Sequence, residues 1–280
     1  WRMTGMALDL RSDDFRGGLR APRAPGIGLA AQFILLPAFT FRLTLVIKPH
    51  PSLALGMMLV ASCPGGNLSN VMTYLAGGST ALSVSMTAVS TAAAVVMTPL
   101  NLSFWGGLNP ATAPIMRRVS LDPLLVFRNI LLILGVPLAA GMAIARRFPA
   151  LADRIRKPFK IFSVIVFVAF VGGALVANWQ NFLHAIGLVV FAVWLHNALG
   201  LGLGYGAARL ARLAPRDRRA VAIEVGLQNS ALGLVLVFDF FDGLGGMAVI
   251  TAWWGVWHII SGLTLSMVWS RFPVEEQKLK

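Results

Sequence analysis

Twice in this chain a long apolar stretch is interrupted by a short polar run, at Cys63-Pro64-Gly65-Gly66-Asn67-Leu68-Ser69-Asn70 and again at Glu224-Val225-Gly226-Leu227-Gln228-Asn229-Ser230. In hydrocarbon every backbone N–H and C=O needs a partner, so non-helical chain at membrane depth persists only where protein packs on it or it lines a polar cavity. Corresponding interruptions in two halves of one chain are the pattern of a secondary transporter. There, half-helix ends and freed carbonyls hold a substrate and its coupling ions near the midplane.

The surrounding sequence supports a membrane setting. Hydrophobic residues make up 57% of the 280 and charged residues only 12%, too little polar surface for a water-soluble globule. A spanning helix takes about 20 largely apolar residues, and eight such stretches lie near 26–47, 53–76, 80–104, 123–145, 159–178, 183–208, 219–240 and 244–270. Nearly all exceed barrel-strand length and none alternates with a period of two, so the expected class is all-α, a polytopic membrane protein.

The formal charge of +13 is informative through its placement. Of 24 Lys and Arg, four lie in 11–23, six in 146–160, five in 209–219 and three in 271–280, which are alternate connections between spans. Positive residues mark cytoplasmic loops, so those loops and the C-terminus are expected inside. Basic loops beside a bilayer account for these arginines without nucleic acid. The single cysteine, Cys63, excludes an internal disulfide and a cysteine-rich metal cluster. The chain opens on Trp1-Arg2-Met3 with no apolar core before Arg11, so no cleavable signal peptide is expected.

Following the basic ends, the set 26–47, 53–76 and 80–104 and the set 183–208, 219–240 and 244–270 each place a broken helix between two plain ones. The first set starts inside and the second outside, which is an inverted repeat. Small residues crowd the spans, as in Gly200-Leu201-Gly202-Leu203-Gly204-Tyr205-Gly206, and let helices approach closely. As a phosphate loop that run fails, with no strand before it and no Lys-Ser/Thr after it.

Glu224 is the carboxylate placed well inside a span; Asp239 and Asp242 sit at an end. A charge at the bilayer centre costs about 2.5–3.5 kcal/mol on insertion scales, so such a group lines a pathway or meets a partner. The structural alternative is a protonated Glu224 or one paired with Arg42 or Arg128. Around it the available ligands are hard oxygens: the amides of Gln228, Asn229 and Asn70, the hydroxyls of Ser69, Ser83 and Thr87, and backbone carbonyls at the breaks. These suit Na⁺ and not a soft metal. Ser83 and Thr87 are four apart and share a helix face, continued by Ser90 and Thr91; alone, such a stripe signifies intrahelical bonding.

With these motifs, and with Val71-Met72-Thr73-Tyr74-Leu75-Ala76, Ala81-Leu82-Ser83-Val84-Ser85-Met86-Thr87, Leu195-His196-Asn197 and Val256-Trp257-His258, the chain resembles the bile acid:sodium symporters over essentially its whole length. The resemblance implies a ten-helix fold in which a core of two inverted three-helix units, with discontinuous crossing helices, works against a panel domain. On that pattern 1–23 is the remnant of a panel helix and a cytoplasmic loop, 24–106 the first core unit, 120–180 the panel, 181–272 the second core unit and 273–280 a cytoplasmic tail. The first helix and most of the second would then precede this chain.

Carried over residue by residue, the resemblance implies one sodium site from Ser69, Asn70, Ser83, Thr87 and Glu224. It implies a second from Gln32, Glu224, Gln228 and the carbonyls of Val225 and Leu227, with substrate beside Asn67, Asn229 and His258. Two Na⁺ on one carboxylate leave a net positive site that an anionic substrate offsets. Asn67 and Ile259 depart from the family pattern, so the substrate need not be a bile acid.

The expected function is Na⁺-coupled symport of a small or amphipathic organic anion in a bacterial inner membrane, with no cofactor, no covalent chemistry and no implied oligomer. Proton coupling through Glu224 and a truncated non-transporting homologue are the alternatives in the same class. An intramembrane enzyme using Glu224 and a histidine is disfavoured, since no zinc spacing, Ser-Lys pair, Asp pair or nucleophile turn is present. His196 and Cys63 read as a bonded core histidine and an apolar filler, and Trp253, Trp254 and Trp257 as packing or an interface belt.

Overall fold

A computed structural model describes residues 22–119 and 179–272, together with Val274 and scattered positions between 128 and 176. The chain order is α1 (Arg23–Ile47), α2 (Pro51–Ser62), α3 (Leu68–Leu75), α4 (Thr80–Leu108), α5 (Ala113–Val119), α6 (Trp179–Leu210), α7 (Pro215–Gly226), α8 (Ser230–Phe240) and α9 (Gly245–Ser270). Among the described residues there is no strand, only one isolated antiparallel bridge between Gly65 and Gln228. The polytopic, all-helical class expected from the sequence is the one found.

Four segments are long and apolar enough to cross a membrane, Arg23–Ile47, Thr80–Leu108, Ile186–Leu210 and Gly245–Ser270. From α1 and α4 the side chains of Ile34, Val46, Val96, Leu100 and Phe104 each keep more than half their surface exposed. Such a face suits lipid and would be costly in water. The stretches near 53–76 and 219–240 each divide into two short helices, α2 with α3 and α7 with α8. The expected spans near 123–145 and 159–178, the panel at 120–180, the opening segment and the tail at 273–280 lie outside the described residues, apart from isolated positions.

Local chemistry explains where the helices stop. A residue before proline is pushed out of the helical region; Cys63, before Pro64, is accordingly extended, with φ −73° and ψ 158°, and ends α2. The second break is narrower than its polar run suggests. Glu224, Val225 and Gly226 remain helical in α7, and only Leu227 to Asn229 depart before Asn229 caps α8 through its side chain.

The first span is not a plain helix. Residues Ala31–Leu35 form a π turn, and Pro37 lies one turn beyond. Proline has no N–H to give to the carbonyl four residues back, and that carbonyl, on Phe33, instead accepts from Asn101 Nδ2 of α4 at 3.0 Å. Periodicity could not show this, because one inserted residue in an apolar helix leaves its composition unchanged.

The core forms around α2, whose residues Ser52 through Ser62 are all buried. A helix apolar on every side belongs inside a bundle. Its Leu53, Met57 and Val60 pack with Val189 and Val193 of α6 and with Val249, Ile250 and Trp254 of α9. The glycine run of α6 permits its contact with α7: a Cβ on Gly204 would lie 2.8 Å from the Val221 carbonyl oxygen, whereas one on Gly202 would meet nothing within 4 Å.

Candidate functional site

The two breaks touch, joined by main chain. The Gly66 N–H donates to the Leu227 carbonyl at 2.8 Å, and the Asn229 N–H to the Pro64 carbonyl at 2.9 Å. Backbone that would be orphaned inside a membrane is thereby satisfied by the opposite break. The contact brings the start of α3 against the end of α7, with α4 alongside.

Glu224 lies in that angle, fully buried. Its Oε2 accepts from the hydroxyls of Ser69 on α3 and, at 3.2 Å, Ser83 on α4; its Oε1 accepts from Thr87 on α4 at 2.8 Å. All three donors are neutral. Arg42 and Arg128, the sequence candidates for an ion pair, are exposed, so pairing to either is not how this carboxylate is held. Asn70 joins through Oδ1, 3.2 Å from the Thr87 hydroxyl. Thus Ser69, Asn70, Ser83, Thr87 and Glu224 come together from three helices.

Thr87 makes the oxygen excess explicit. Its Oγ1 stands 3.2 Å or less from the Asn70 amide oxygen, the Ser83 carbonyl and Glu224 Oε1, yet a hydroxyl has one proton to give. With Glu224 ionised, two of those contacts are oxygen on oxygen with no hydrogen between. A hard monovalent cation in such a cluster would turn that repulsion into coordination. Ser90 and Thr91 do not contribute, since both donate back to the Thr87 carbonyl within α4.

A second group lies beside the first. Gln32, on the π turn, donates through Nε2 to the Cys63 carbonyl at 2.9 Å and to Gln228 Oε1 at 2.5 Å; Gln228 donates in turn to the Val225 carbonyl at 2.6 Å. The Gln32 Oε1 is buried and has no partner, an acceptor that a cation would satisfy. Gln32, Gln228 and Val225 are therefore brought together. The Leu227 carbonyl turns to Gly66, and the bonds of Glu224 run to the first group.

The three residues expected near substrate are less tightly gathered. Asn67 is exposed and Asn229 half-buried, one in each break, with the Asn229 side chain accepting from the Leu232 N–H at 3.1 Å. His258 is buried on α9, its Nδ1 without a partner. No hydrogen bond links the three.

A family model described as "Sodium Bile acid symporter family" matches residues 2–185 of the chain. The chain belongs to that family. It is 37% identical over 276 residues to a Bacillus subtilis protein named as an uncharacterized sodium-dependent transporter, covering 98% of this chain and 82% of that one. It is 34% identical over 270 residues to an Arabidopsis thaliana chloroplast protein named as a probable sodium/metabolite cotransporter, covering 96% and 65%. It is 32% identical over 235 residues to the human sodium/bile acid cotransporter 4, covering 82% and 52%. The chain thus spans most of the Bacillus protein and about half to two thirds of the other two. Membership and the four apolar helices make this an integral membrane protein.

Sequence reasoning missed several groups. Thr73 donates to the Ser83 hydroxyl at 3.3 Å; lying four residues after Ser69 on α3, it was findable by helical spacing. Asn197 donates to the Gly226 carbonyl at 2.8 Å and so holds the end of α7. The Cys63 carbonyl takes part, whereas its thiol sits in an apolar cluster. His196 bonds to Thr40 at 2.8 Å and lies against Trp254, ring centroids 4.7 Å apart, as a core histidine.

Proposed function

We propose that this chain is the transport core of a Na⁺-coupled symporter that moves an organic anion by alternating access, with Na⁺ as coupling ion and no covalent step. One observation carries the reading: Glu224, fully buried where two helices unwind, is met by hydroxyls from two other helices and, among the described residues, by no cation of the protein. An ionised carboxylate in that position is unstable unless a positive charge joins it. The oxygen excess at Thr87 and the unpartnered Gln32 Oε1 favour cations at both groups.

On this reading Ser69, Asn70, Ser83, Thr87 and Glu224 hold one Na⁺, and Gln32, Gln228 and the Val225 carbonyl, with Glu224 and Leu227 nearby, hold a second. The anion would lie beside Asn67, Asn229 and His258, drawn by the net positive charge of the loaded site. The two sets of helices would be inverted copies, 24–106 and 181–272, with the basic loops and C-terminus in the cytoplasm of a bacterial cell. The names of these relatives, a sodium-dependent transporter and sodium/metabolite or sodium/bile acid cotransporters, support sodium coupling. They differ in cargo, so the substrate class is left as organic anion.

The test is thermal stabilisation of the purified chain as Na⁺ replaces K⁺ at fixed ionic strength, followed by uptake of candidate anions into liposomes. Na⁺-specific stabilisation that vanishes in Glu224→Gln is the expected result, since a ligand bound only to the folded state raises its apparent stability. Stabilisation that follows pH and ignores Na⁺ would replace sodium by protons as the coupling ion.

A further inference from the structure

Five residues before Glu224 on the same helix, about 7.5 Å along its axis, Arg219 is 7% exposed. Its Nη1 donates to the Ala76 carbonyl at 2.5 Å and the Trp269 carbonyl at 3.0 Å, and its Nη2 to the Phe272 carbonyl at 2.5 Å. The guanidinium carbon lies 5.5 Å from the centroid of the Trp269 ring. One side chain of α7 therefore grips the C-terminal ends of α3 and α9. Those ends carry partial negative charge, and a planar fork spreads its fixed donors over two nitrogens, a geometry that the single nitrogen of an ammonium does not reproduce.

The backbone around it is shaped for the same contact. Gly77, with φ +66°, ends α3; the Ser79 N–H then bonds to the Arg216 carbonyl at 3.1 Å. A Cβ on Gly78 would stand 3.3 Å from the Arg219 Cβ.

We infer that Arg219 is a positioning residue for the cation site, setting the spacing between α3, which carries Ser69 and Asn70, and α7, which carries Glu224. The inference rests on the sodium reading above. Arg219 touches no ion; it acts by fixing the far end of α3 against α7, so that the Ser69 hydroxyl meets Glu224. Any loosening of that end tilts α3 about the crossing of the breaks and opens the oxygen cluster. It also ties α9, the helix of His258, to the same pin, which places ion and substrate sites under one restraint.

The experiment measures Na⁺-dependent thermal stabilisation of the full chain for Arg219→Lys, Trp269→Leu and Glu224→Gln. The expected result is a rise of about fivefold or more in the Na⁺ concentration giving half-maximal stabilisation in Arg219→Lys, and a smaller rise in Trp269→Leu, with Na⁺ response lost in Glu224→Gln. A merely structural arginine would lower the melting temperature without Na⁺ and leave that midpoint within about twofold of the parent; this outcome overturns the inference. Should Arg219→Lys fail to fold, Trp269→Leu decides by the same criterion. A Glu224→Gln chain that keeps the parent midpoint overturns the sodium reading itself.

Discussion

Gly65 of the first break and Glu224 of the second fit together so closely that a Cβ on Gly65 would lie 2.2 Å from Glu224 Oε1. The bare backbone at Gly65 is thus part of the wall that holds the carboxylate against Ser69 and Thr87. Loop flexibility is not the reason for glycine here; the missing side chain is the space the carboxylate uses.

Gly65→Ala should therefore push Glu224 off its hydroxyl partners. Overpacking of this kind costs about 1–3 kcal/mol, and the change falls on the proposed ion site. Na⁺ affinity is expected to drop by roughly tenfold or more, read by titrating Na⁺ against thermal stability. An alanine chain with parent affinity would show that the carboxylate can move aside without consequence.

Gln32 bonds the Cys63 carbonyl and Gln228 and leaves its own oxygen unpartnered. Gln32→Leu removes both capacities. If the second group holds its own ion, the Hill coefficient for Na⁺ in uptake should fall from about 2 to about 1, while Na⁺-specific stabilisation through the Glu224 group persists. Loss of all Na⁺ response in this variant would mean that the two groups act as a single site.

Gly204 and Gly202 lie two residues apart on α6, yet only the former presses on α7, where a Cβ would meet the Val221 carbonyl oxygen at 2.8 Å. Gly204→Val should destabilise the protein by about 1–3 kcal/mol or prevent folding. Gly202→Val should leave the melting temperature close to the parent value. Equal effects would show that α6 does not seat on α7 through this stripe.

Much of this arrangement was visible in the letters, and the reason is energetic. Polar residues in hydrocarbon are costly enough that Asn70, Glu224 and Gln228 stand out against their surroundings, and the hydroxyls of Ser83 and Thr87 are linked by helical spacing. Those signals mark a pool of oxygen donors around Glu224 that also holds Gln228 and Asn229; the narrower set Ser69, Asn70, Ser83, Thr87 and Glu224 is what the resemblance to the symporter family implies. Interactions whose partner is main chain could not, because a carbonyl has no letter: Arg219 looked like one more basic loop residue, and nothing marked Asn101 as the donor to Phe33. The π turn at Gln32 was hidden for a related reason, since it alters register and not composition.

The seam between Gly66 and Leu227 and between Pro64 and Asn229 is made of peptide groups alone. The exposed side chain of Asn67 can consequently be exchanged without unpicking it. On the proposed reading, a scaffold fastened this way would let cargo preference drift while the machinery for the driving ion stays in register, so that one architecture could serve many different anions.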